Sequence, residues 1–106
     1  MARMARPDAQ RKLRRYMAIL QAQLPMLRTR FHVRYLGLFG SYVHGNPRRD
    51  SDLDVLVEFS KVPTLFEFIE IEQDLSSRLG VKVDLVMKST LKPLIGRKIL
   101  AEVVGL

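Results

Sequence analysis

The stretch from Gly40 to Phe59 constrains this chain more than any other. A Gly40-Ser41 pair is followed, after ten residues, by Asp52-Leu53-Asp54 and then by the apolar run Val55-Leu56-Val57. Residues at i and i+2 of a strand share a face. Asp52 and Asp54 therefore project one way, and Leu53, Val55, Val57 and Phe59 project the other way into a core. Two carboxylates at this spacing suit Mg²⁺, which is held by carboxylates together with substrate phosphates. The Gly-Ser turn can offer backbone N–H groups and a hydroxyl to phosphate oxygens. Acids at i and i+2 often do no more than decorate the solvent face of a strand. Four fixed residues at this combined spacing, however, arise by chance in roughly one chain of this length in a thousand.

The rest of the chain supplies a frame for that segment. From Asp8 to about Leu24, Leu13, Tyr16, Met17, Leu20 and Leu24 recur at three- and four-residue steps, the stripe of an amphipathic helix. Pro25 either kinks this helix or starts a short second one through Phe31. Val33 to Phe39 reads as a strand apolar on both faces, as central strands are. Gly40 to His44 reads as a tight turn opening a short helix, which Gly45-Asn46-Pro47 ends. A second strand runs from about Ser51 to Phe59. Thr64 and Glu67 form a capping box for the next helix, which is expected to bury Leu65, Phe68, Ile69, Leu75 and Leu79 and to stop at Gly80. A third strand spans Val81 to Met87, and Pro93 starts a last helix through about Val104.

The expected fold is therefore α/β (α+β) in the order αβαβαβα, with a small mixed sheet of three or more strands flanked by helices. The long connection between strands two and three makes them parallel, and the short one after strand one makes its neighbour antiparallel. That topology sets the Gly40-Ser41 turn beside Asp52 and Asp54, and lets Asp84 on strand three face the same cleft. Like charges some 5–6 Å apart repel by roughly 3 kcal/mol at an effective dielectric of 20. Three converging carboxylates thus call for a divalent cation or a retained proton. Two such ions would suit in-line displacement at phosphorus, with Asp84 holding a metal or accepting the nucleophile's proton.

The 106 residues form one expected domain, 1–106, with 1–8 as a flexible basic N-terminus. No cysteine is present, which excludes disulfides and thiolate metal sites. No apolar stretch approaches a membrane span, and the N-terminus lacks the apolar core of a secretory signal, so a cytoplasmic location is expected. The net charge of +7 sits entirely on residues 1–30, where eight Lys or Arg face the single acid Asp8. Such a block could meet nucleic acid or an acidic partner, or simply be a solvated helix face.

The segment LGLFGSYVHGNPRRDSDLDVLVEF resembles the signature of the minimal nucleotidyltransferases, the smallest members of the DNA polymerase β-like superfamily. Their pattern is Gly-Ser, ten residues, Asp-any-Asp, and a third Asp on a later strand; here these positions fall on Gly40, Ser41, Asp52, Asp54 and Asp84. The likeness covers residues 9–104. It implies that Asp52, Asp54 and Asp84 are catalytic and hold two Mg²⁺ ions, and that Gly40 and Ser41 bind the nucleotide, with ATP as substrate. Proteins of this size are similar to the antitoxin of a toxin–antitoxin pair, which transfers AMP to a tyrosine of its HEPN-type ribonuclease toxin. Many relatives carry arginine where His44 stands, which leaves Arg48, Arg49, Lys82 and Lys88 as candidates for the triphosphate charge. Two other readings remain open at this point: an antitoxin acting by binding alone, through the basic first helix and apolar last helix, and a nucleic-acid binder using residues 1–30.

Overall fold

A computed structural model describes residues 7–106. Three helices, α1 (Pro7–Phe31), α2 (Leu65–Leu79) and α3 (Pro93–Glu102), accompany four strands, β1 (Val33–Phe39), β2 (Leu53–Phe59), β3 (Val83–Met87) and β4 (Val104–Gly105). A 3₁₀ turn, Lys88–Thr90, precedes α3. The strands form one mixed sheet in the order β3-β2-β1-β4. As expected, β1 and β2 are antiparallel and β2 and β3 parallel.

The helix α1 continues without a break through Pro25, so no second helix starts there. Its buried stripe, Tyr16, Leu20, Leu27 and Phe31, continues on both sides of the proline. Burying a leucine fully contributes about 1.5–3 kcal/mol. Pro25 and Gln21, whose carbonyl loses its partner, both lie on the exposed side. On that side the carbonyl is open to solvent, and the core holds the helix together. Of the expected flexible segment 1–8, residues 1–6 lie outside the described residues, and Pro7 and Asp8 belong to α1. His32 ends the helix with φ 59°, and its carbonyl accepts from the Ser60 N–H at 2.9 Å. Its role is that of a chain-reversal residue.

The capping box of α2 forms as expected: the Thr64 hydroxyl accepts from the Glu67 N–H at 3.1 Å and the Glu67 carboxylate from the Thr64 N–H at 2.9 Å. Gly80 closes the helix in the left-handed conformation. Leu75 and Leu79 are buried as expected and Phe68 is partly buried, but the stripe departs from the expected one in the first turns. Ile71, Leu75 and Leu79 are buried, whereas Leu65 is 70% and Ile69 38% exposed. Successive steps of four from Ile71 follow the sheet, and this phase turns the first-turn side chains outward. Two side chains of α2 also close the sheet's edge. The Val83 N–H donates to the Ser76 hydroxyl and the Leu85 N–H to the Glu72 carboxylate, both at 2.9 Å. An edge strand otherwise leaves such donors unpaired; here they are capped, and Asp84 is fixed in register between them.

Three further expectations change. The segment after β1 is a turn, not a short helix: the His44 N–H reaches the Gly40 carbonyl at 3.1 Å and the Asn46 N–H the Ser41 carbonyl at 3.0 Å. Gly45, at φ 75°, and Pro47 then prevent propagation. Strands two and three begin at Leu53 and Val83, two residues later than expected. The last helix stops at Glu102, and the chain end adds β4 against β1, pairing Gly37 with Gly105 and Leu38 with Val104. A Cβ on Gly37 would collide with the side chains of Val103 and Tyr35. Close approach at Gly37 is thus what admits the fourth strand. Among the described residues no helix is long and apolar enough to cross a membrane.

Candidate active site

Strand register assembles the carboxylates. Asp54 is the Cα partner of Phe39 on β1 and of Asp84 on β3, so it stands between the end of one strand and the start of the other. In-register partners on parallel strands present side chains to the same face, and Asp52 shares it by the i, i+2 rule. The opposite face of β2 is anchored by Leu53, Val55 and Val57, all fully buried. A one-residue slip would exchange the two faces, so the core burial itself fixes where the acids point.

The carboxylates differ in surroundings. Asp54 is half-buried, Asp52 is partly exposed with Lys82 Nζ 3.9 Å from Oδ2, and Asp84 is exposed. Burial, then the charge of Asp84, then that of Asp52 push the Asp54 carboxyl from the usual 3.8 up to about 6. The shift records first the burial of Asp54 and then the two negative charges beside it.

Gly40 presses on this centre. It sits at φ 83°, a conformation side chains rarely adopt, and a Cβ there would run into the Asp54 carboxylate. Glycine is required for both reasons. The turn that follows places Ser41 half-exposed at the same edge, while Tyr42 is buried and packs edge-on against Tyr16 with ring centres 5.5 Å apart. That aromatic contact pins the turn to α1. His44 is turned elsewhere, with Nε2 3.1 Å from Glu102 Oε2 at the end of α3.

Gly40, Ser41, Asp52, Asp54 and Asp84 are thus brought to one edge of the sheet. Among the described residues no three Asp, Glu or His side chains stand close enough to hold an ion by themselves. The donor set still fits Mg²⁺, which keeps much of its coordination for water and phosphate oxygens and takes only one or two carboxylates. The Tyr42–Tyr16 contact and the His44–Glu102 link were not foreseen. The first had a signal in the apolar phase of Tyr16; the second had none, because 58 residues separate the partners.

Comparison with known proteins agrees with this geometry. Residues 20–105 match the family model described as nucleotidyltransferase domain. The protein adenylyltransferase MntA of Thermococcus cleftensis is 53% identical over 87 residues, covering 82% of this chain and 88% of the relative. A solved structure of a candidate minimal nucleotidyltransferase superposes with a TM-score of 0.73 at 33% identity, covering all of both chains. At 21% identity and a TM-score of 0.59, the fold is shared with a structure from Shewanella oneidensis, a tri-AMPylated HEPN toxin in complex with its MNT antitoxin; 92% of this chain and 70% of that one are covered. With the Gly-Ser turn pressed on a carboxylate centre and matches of this extent, the chain belongs to the nucleotidyltransferase domain family, among its MntA-like minimal members.

Proposed function

We propose that this protein is an Mg²⁺-dependent protein adenylyltransferase, the antitoxin of a HEPN-type toxin, and that it transfers AMP from ATP to a tyrosine hydroxyl of that toxin. The observation that carries the reading is Asp54, held between Asp52 and Asp84 with the Gly40 backbone against it. One or two of the carboxylates Asp52, Asp54 and Asp84, together with phosphate oxygens and water, would hold a metal ion, which when bound offsets phosphate charge and polarises the α-phosphate. The residues of the chain do the rest. The Gly40-Ser41 turn supplies backbone donors and a hydroxyl to the phosphates. The rigid pairing of β2 with β3 keeps the carboxylates aligned, so little reorganisation is needed when charge moves. Exposed Asp84 is the group open to an acceptor brought by another protein, and it can take the acceptor's proton.

The likeness to MntA supports ATP and a protein acceptor. Incubating the chain with ATP, Mg²⁺ and a HEPN toxin, then weighing the intact toxin, tests the reading: one or more added adenylyl groups are expected. An unmodified toxin beside an ATP-consuming enzyme would point to another acceptor.

A second reading, neutralisation by binding with little catalysis, is favoured by the exposed apolar side chains of α3, Leu94, Ile95 and Leu100. Replacing Asp52 and Asp54 by Asn separates the two. Full neutralisation by that variant would support binding; lost neutralisation with the complex intact would support catalysis.

A further inference from the structure

The helix α3 turns apolar side chains to solvent. Leu94, Ile95 and Leu100 are exposed, and Gly96 is the only buried residue of the helix. A groove of about 300 Å³ opens here, with Leu91, Pro93, Gly96 and Leu100 as its apolar lining. Lys88, Lys92 and Arg97 complete it, and no acid lines it. Glycine inside a helix is less favourable than alanine, yet Gly96 has no positive φ to require it. A Cβ there would meet only Leu91, 3.4 Å from its Cβ and 4.0 Å from its Cδ1. Those are ordinary contacts. Packing does not demand the glycine; its effect is to keep the groove open.

Strand register places this helix on the carboxylate side of the sheet. Val103 directly follows α3, and a Cβ on Gly37 would meet its side chain. Gly37 pairs with Leu56 across antiparallel strands, so the two share a face. Leu56 shares that face with Asp54 by the i, i+2 rule. The last turn of α3 also touches the turn after β1, through Glu102 Oε2 and His44 Nε2 at 3.1 Å. From Gly96 to Glu102 the helix rises only about 9 Å. A protein seated on the groove therefore also reaches over the carboxylate edge.

We propose that the α3 groove docks the toxin, receiving an apolar side chain that is flanked by carboxylates. This rests on the adenylyltransferase reading and names the surface that brings its protein acceptor to the site. Protein interfaces join an apolar centre to a polar rim. Here Leu91, Leu94, Ile95 and Leu100 supply the centre, and Lys92, Arg97 and the adjoining exposed Lys98 supply the rim. Those three cations form no ion pair among the described residues. No acid stands in the first turn of α3 to offset them. The acids of adjoining elements, Glu58 and Glu102, are engaged by Lys88 and His44. Charge thus selects an acidic occupant. It disfavours a second copy of this chain, whose net charge is +7. The other exposed apolar group, Val62, Leu65 and Phe66, lies beyond the opposite end of β2 from Asp52 and Asp54.

The test is calorimetric titration of a HEPN toxin into wild type and variants, with ATP affinity and oligomeric state measured alongside. Gly96→Ala should raise the melting temperature by roughly 2–5 °C and yet weaken toxin binding at least threefold. Lys92→Glu with Arg97→Glu should weaken it at least tenfold, and added salt should weaken the wild-type complex. Phe66→Ser should bind the toxin as wild type does. No complex with wild type, or unchanged binding by both groove variants, would overturn the proposal. An equal loss in Phe66→Ser would do the same. A fall in ATP affinity in Gly96→Ala would make the groove a nucleotide pocket, and dissociation of a wild-type dimer by that variant would make it a self-interface; either result refutes docking. If the toxin binds through this groove yet gains no AMP, the docking surface stands and the adenylyltransferase reading falls.

Discussion

Removing the charge of Asp54 should stabilise the metal-free protein while abolishing its activity. Asp54 is held at about 6 in the folded chain against 3.8 when unperturbed. Between about pH 4 and 6 the folded state therefore binds a proton that the unfolded chain has released. Stability of the wild type falls as pH rises through that window, and the loss is complete above pH 6. About two pKa units correspond to at most about 3 kcal/mol; solvent screening of a half-exposed group reduces this to about 1–2 kcal/mol. Asp54→Asn carries no such charge, so its stability should be flat across the same interval. Thermal melts in EDTA should then show the variant melting roughly 5–10 °C above wild type at pH 7.5, given about 4–8 °C per kcal/mol for a domain this size. The two should coincide at pH 4. Saturating Mg²⁺ should raise the wild type and leave the variant unmoved, as expected when an ion binds only the native charged cluster. A variant less stable than wild type at pH 7.5, or a gain of equal size at both pH values, would refute the reasoning.

Three other outcomes follow from the same geometry. Gly40→Ala places a methyl group against the Asp54 carboxylate at a positive φ; it should cost about 1–3 kcal/mol in a urea melt and remove AMP transfer. Thr64→Ala breaks the α2 capping box beyond the opposite end of β2 from Asp52 and Asp54; it should cost about 1 kcal/mol and leave the transfer rate unchanged. Chelation by EDTA should stop AMP transfer, and added Mg²⁺, but not Ca²⁺ with its looser geometry, should restore it in a rate assay.

How far the fold could be read from the chain depended on how local each determinant was. Strand β1, apolar on both faces, and the Thr64–Glu67 box declare themselves within a few residues, and both form as read. The face shared by Asp52 and Asp54 follows from alternation along β2, and Asp84 joins it because the α2 crossover sets β3 in parallel register. Elements that depend on distant partners were not legible. Strand β4 is two residues long and exists because Gly37 and Gly105 let two backbones approach. The phase of the α2 stripe at Leu65 and Ile69 was ambiguous, since apolar residues occur on both sides of its first turns. The turn at Gly40–His44 resembled a helix start, and only the positive φ of Gly45 with Pro47 shows why none propagates. Four cations were equal candidates for phosphate charge in the sequence. In the structure Lys82 lies beside Asp52 and Lys88 beside Glu58, whereas Arg48 and Arg49 form no ion pair among the described residues, a difference that depends on elements meeting in space.

The central claim is that the carboxylate edge transfers a nucleotide to a protein. Its most direct test is the transfer of labelled AMP from α-phosphate-labelled ATP to a HEPN toxin, with release of pyrophosphate, by the wild type and by an Asp52→Asn, Asp54→Asn double variant with a cooperative melting curve. Label on the toxin with wild type, and background counts with the variant, is the predicted result. Wild-type counts from the folded double variant would contradict it.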